Sequence, residues 1–179
     1  MKLLRTIRLD TSDTFVFDRP ANPGEWAVSG AFVFWNRDVS VLEGKARTAF
    51  RSGFLGVSSL GWSTLAQIVE ASEIDRARLV ETLAKQLVKS FGAPDVATAK
   101  PAAEEEVTFA ESLCSEPKDT LIAVHRNLED GVVREQFRAL RPREGAVRSR
   151  PFSFFEVTGE DEAAMETVDL ISLTERAPK

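Results

Sequence analysis

Apolar and polar positions alternate at the start of the chain. Leu3, Arg5, Ile7 and Leu9 fall on one side and Leu4, Thr6 and Arg8 on the other, which predicts a strand over residues 3–9 with one better-buried face. Asp10-Thr11-Ser12-Asp13 is turn chemistry, and Phe15-Val16-Phe17 predicts a short second strand. Two prolines and a glycine break residues 19–24 into a loop. Residues 26–35, WAVSGAFVFW, form the most apolar run of the first half and predict a central strand buried on both faces. The period then lengthens. Leu42, Ala46, Ala49 and Phe50 recur at helical spacing with Arg47 and Arg51 opposite them, so a short helix should end at Gly53. A brief strand at 54–58, a turn or bulge at 61–63 and a strand at 64–71 follow.

The strongest helical signal spans residues 73–91. Ser72 suits the N-cap, Asp75 stands at the capping-box position, and Ala77, Val80, Ala84, Leu87, Val88 and Phe91 form one stripe. Gly92 and Pro94 end it, and residues 92–101 read as a loop. Pro101 suits a helix start, with Glu104, Glu105 and Glu106 in the first turns, where negative charge complements the helix dipole. That helix should run to about residue 115. Residues 119–127 predict a strand, and Glu129-Asp130-Gly131 a hairpin turn. Residues 132–140 fit the return strand, although Val133, Phe137 and Leu140 also permit a helix. Further strands are expected at 152–157 and 168–174. Strands outnumber helices and are joined mostly by hairpins, with two long helices in succession between them. The expectation is an α+β fold: a largely antiparallel sheet with two longer helices packed on one face. One domain should cover residues 1–158, with 159–179 an acidic, frayed tail.

Composition narrows the classes of function. The chain has 179 residues and a net charge of −5, which disfavours nucleic-acid binding. Arg5 and Arg8 interrupt any secretory apolar run, and no stretch approaches the length of a membrane span. A single cysteine excludes a disulfide framework. These features together point to the cytoplasm.

Catalytic constellations are scarce. Cys114 and His125 are the sole members of their types, but Cys114 falls on the apolar stripe of its helix, where a cysteine behaves as a small hydrophobe. Residues 56–61 miss the nucleophile elbow because Leu60 stands where its second glycine belongs. One Cys and one His make a poor zinc set, and the acidic runs at 104–106 and 160–162 form no ligand loop. No metal and no cofactor is expected.

Two anion-binding candidates remain. Gly53, Gly56 and Gly61 lie among Ser58, Ser59 and Ser63, with Arg47 and Arg51 nearby. Such a loop offers backbone N–H groups to an anion, the alternative being a tight connection between elements. Between residues 134 and 150 stand six arginines and two acids, followed from residue 151 by seven acids and two bases. Arg134, Arg138, Arg141 and Arg143 suit bidentate contact with carboxylate or phosphate, while a solvated hairpin edge is the plainer reading.

The phrases GKARTAFRSGFLGVSSLGWST at 44–64, KLLRTIRLD at the start and GEWAVSGAFVFW at 24–35 resemble a family of small proteobacterial proteins known only as a domain of unknown function. The resemblance runs from residue 1 to about residue 142. It implies a bacterial cytoplasmic protein and carries no activity, ligand or partner. The reading from the residues themselves is a non-catalytic binding or accessory module for a protein partner or a small anionic ligand. An enzyme using carboxylates and arginine is the rival, and a structural homo-oligomer the third option.

Overall fold

A computed structural model of the chain describes residues 1–142 and 155–158. β1 (Lys2–Ile7) arises from the opening alternation. It is flanked on both sides, by β2 (Trp26–Val28) and β5 (Leu65–Glu70), with Leu4 opposite Ala27 and Ile68. Leu3 and Leu4, on opposite sides of the strand, are both fully buried, so β1 is covered on both faces. β3 (Phe54–Gly56), β4 (Trp62–Ser63), β6 (Leu121–Glu129), β7 (Val132–Pro142) and β8 (Phe155–Thr158) complete a curled sheet. Its order is β4-β3-β2-β1-β5-β6-β7-β8, with every neighbouring pair antiparallel.

The long hairpin settles the ambiguity over residues 132–140 in favour of a strand. Asp130 and Gly131 both have positive φ, 51° and 77°, the two-residue geometry whose twist matches that of the flanking strands. This turn fixes the register, so Arg126 faces Glu135 and Val124 faces Phe137.

Four helices accompany the sheet among the described residues: α1 (Ser12–Val16), α2 (Gly44–Ser52), α3 (Glu73–Phe91) and α4 (Val96–Ser112). α3 matches its predicted bounds, with the Ser72–Asp75 capping box formed and Gly92 closing it. Its buried seam is Leu79, Val80, Leu83 and Ala84, so Ala77 and Phe91 of the predicted stripe are left exposed. α4 packs along α3 and touches β1 and β2. Ala99, Ala103, Val107 and Ala110 let it approach closely, and the joint core includes Ile68, Ile122 and Val124. Phe17, Phe34, Ala49 and Phe50 make a second, smaller core beneath α2. The fold is therefore α+β, with the antiparallel sheet and the two long helices the sequence predicts. No helix among the described residues is long and apolar enough to cross a membrane.

Three expectations are corrected. Residues 15–17 are not a strand. The chain makes one helical turn there, held by Asp13, whose carboxylate accepts the Thr64 hydroxyl at 2.6 Å, and Phe17 turns into the smaller core. The strand expected over 26–35 stops at Val28. Gly30 takes a left-handed conformation (φ 79°) in a spot so tight that a Cβ would lie 2.6 Å from that of Leu55. A 3-10 turn over Ala31–Phe34 follows, burying Phe34 and leaving Trp35 79% exposed. The second long helix starts five residues before Pro101, at an N-cap formed by Asp95, whose side chain accepts the Thr98 N–H at 2.8 Å. Pro101 thus lies inside α4, and Glu104, Glu105 and Glu106 sit mid-helix instead of at its positive end. The dipole account of these acids falls. The expected strand at 168–174 and the acidic tail lie outside the described residues.

Candidate anion-binding cleft

α2 ends against β6, and one side chain makes the joint. Arg126 continues the inward alternation of Ile122 and Val124 and is fully buried. All five of its N–H donors are used inside the protein. Nε donates to Glu135 Oε1 (2.7 Å), and Nη1 donates to the carbonyls of Phe50 (3.0 Å) and Gly53 (2.8 Å). Nη2 donates to the Ser29 carbonyl (2.5 Å) and hydroxyl (3.1 Å). The Ser29 hydroxyl in turn donates to Glu135 Oε1. Arg126 thereby caps the last carbonyls of α2, where the helix dipole is negative. Burial works against the Arg126 cation, and Glu135 supports it. Glu106 reaches the same junction from α4 and accepts the Gly30 N–H at 3.1 Å. Burial pushes its carboxyl above the ordinary range, and nearby Glu135 adds to the rise, against the Gly30 bond and Arg126.

Outside this joint lies a cleft of about 340 Å³ lined by Val39, Ser40, Arg47, Phe50, Arg51, Arg126, Asn127 and Leu128. Arg47 and Arg51 are one turn apart on α2, both exposed, and neither has a hydrogen-bond or ion-pair partner among the described residues. Two unpaired cations at this spacing repel each other, which costs a few tenths of a kcal/mol on a helix, and an anion between them would reverse the sign. The other polar side chains of the cleft are committed. The Ser40 hydroxyl donates to Asp38 Oδ1. Asn127 Nδ2 donates to Glu129 at 2.6 Å, and its Oδ1 is closed off from solvent with no partner among the described residues. Arg126 contributes a field but no free donor.

The remaining site candidates are dispersed. The loop at 57–61 does present backbone N–H groups to an anion, and the anion is the protein's own. Glu25 Oε2 accepts the N–H groups of Ser58 (2.9 Å) and Ser59 (2.8 Å), while Oε1 accepts the Ser59 hydroxyl and the Asn22 N–H. Ser58 and Ser59 are therefore engaged by Glu25. Arg134 and Arg138 alternate outward on β7 with Gln136 between them, and Arg134 pairs with Glu129 at 2.8 Å. Neither lines the cleft. Arg141 stands opposite Glu156 in the β7–β8 ladder, and Arg143 lies outside the described residues. Cys114 is buried, its thiol pushed up to about 11 by burial, whereas His125 is exposed on β6, so the fold does not join them. Among the described residues no group of three or more His, Cys, Asp or Glu side chains is arranged to hold a metal ion.

Sequence reasoning missed Arg126, Glu135, Ser29 and Glu106. A signal for the first two was present. Arg126 sits at an inward position of an alternating strand, and Glu135 lies symmetrically across the Asp130-Gly131 turn. Ser29 and Glu106 reach the junction only through tertiary packing, and no local pattern marks them.

No curated protein and no solved structure matches the chain. The model of a family of unknown function, DUF6505, matches residues 1–153. With most of its length covered by that match, strands β1 to β7, α2 and the cleft included, the chain belongs to the DUF6505 family.

Proposed function

We propose that this chain is a non-catalytic, cytoplasmic binding module whose cleft between α2 and β6 receives an anionic group, from a small ligand or from a protein partner. The observation that carries the reading is the pair Arg47 and Arg51, exposed, one turn apart and without a partner among the described residues. Arg126 supports it by neutralising the carbonyl end of α2, which would otherwise repel an anion at that end of the helix. The enzymatic rival draws less support. The carboxylates of the joint, Glu135 and Glu106, are turned into the protein and bonded to Arg126, Ser29 and Gly30, and those beside the cleft's lining, Asp38 and Glu129, are bonded to Ser40 and to Asn127 and Arg134. Calorimetric titration with inorganic phosphate and with acetate at low salt tests the reading. Saturable binding that the double variant Arg47→Gln, Arg51→Gln abolishes, with the fold intact by circular dichroism, is expected. Equal binding by the double variant would overturn it. An electrostatic contact should also weaken as salt rises, because the Debye length shrinks from about 10 Å at 0.1 M to about 3 Å at 1 M.

A further inference from the structure

We infer that the anion taken by this cleft carries an apolar body, with a short-chain aliphatic carboxylate as its simplest form. The inference rests on the anionic reading above and deepens it. Recognition of a polar body, such as a sugar or a nucleotide, needs side-chain donors and acceptors beyond the charge contact. The cleft has few to spare: the Ser40 hydroxyl proton is held by Asp38, one Asn127 Nδ2 proton by Glu129, and Arg126 by five internal bonds, while Asn127 Oδ1 is closed off from solvent. What remains open beside Arg47 and Arg51 is hydrocarbon. Val39, Phe50 and Leu128 line the cleft, Leu128 is 40% exposed, and Val41, next in the chain after Ser40, is 70% exposed. Covering such surface is favourable in proportion to the apolar area removed from water. The volume of about 340 Å³ stands near the lower limit for small-molecule sites, which are roughly 300–1,000 Å³. It suits a compact ligand with its charge at one end, lying between the two arginines and the Leu128 side chain.

The test is a calorimetric series on the full chain at low salt: acetate, butyrate, hexanoate and octanoate, with hexanol and inorganic phosphate as controls. Each added methylene should tighten binding by about fourfold until the cleft is filled. Hexanol should bind far more weakly than hexanoate, and the Arg47→Gln, Arg51→Gln variant should remove that difference. Affinity independent of chain length, or binding of phosphate without hexanoate, would overturn the apolar body while leaving the anionic reading standing. Hexanol equal to hexanoate would overturn the anionic reading, and this inference with it, as would no binding by any member of the series.

Discussion

Replacing Arg126 with Met probes the joint on which the cleft depends. Methionine keeps the length and an apolar stem but removes five donors. The Glu135 carboxylate would lose its ion pair at 2.7 Å, and the carbonyls of Ser29, Phe50 and Gly53 would lose their partners in the interior. Breaking a buried pair from one side costs about 3–5 kcal/mol, because the surviving charge is stranded. A domain of this kind has about 5–15 kcal/mol in all, so the loss would take a third or more of a typical value. Urea unfolding followed by tryptophan fluorescence should show the midpoint falling with the slope unchanged. Adding Glu135→Met to Arg126→Met should recover part of the loss by removing the stranded charge. Recovery should be incomplete, because the three carbonyls stay unserved. Amide exchange in the last turn of α2 should accelerate in both variants. A loss below about 1 kcal/mol for Arg126→Met, or a double variant no more stable than the single, would refute the reasoning.

Glu106 has a raised carboxyl, so the folded state holds its proton more tightly than the unfolded chain does, and its ionisation opposes folding as pH rises. Glu106→Gln, which keeps an acceptor for Gly30, should therefore raise the thermal midpoint at pH 7. The gain should vanish as pH falls below the unfolded-chain value of about 4.3, and a gain that persists at low pH would contradict this. Glu25→Ala should empty the backbone pocket at Ser58 and Ser59, costing about 1–3 kcal/mol. Added sulfate should restore more stability to that variant than to the wild type, and equal sulfate effects on both would count against the pocket.

The sequence signals that succeeded were local ones with a complete physical cause. The Ser72–Asp75 box and Gly92 delimit α3, and Asp130-Gly131 sets the hairpin and its register. The failures came where tertiary contact overrode local preference. Trp26 to Trp35 is apolar enough for a long strand, yet the close approach of Gly30 to Leu55 ends it early. Asp95 started α4 ahead of Pro101, where the cost of an interior proline, about 3 kcal/mol, is offset by burial of the face bearing Ala99, Ala103, Val107 and Ala110. Half of the cleft was legible: Arg47 and Arg51 stand out as a polar helix face. The other half depends on Arg126. A charged residue at an inward strand position looks like an exception until its partner across the hairpin and the end of α2 are both in place.

The side-chain Nε–H signals of arginine give the most direct test of the cleft. In a ¹⁵N correlation spectrum titrated with butyrate at low salt, the Arg47 and Arg51 signals should shift together and saturate with one dissociation constant. The Arg126 signal should keep its position, because its Nε–H is held by Glu135 at 2.7 Å and has no donor to offer. Saturable shifts at Arg134 and Arg138, with Arg47 and Arg51 silent, would move the anion to the outer face of β7 and contradict the account.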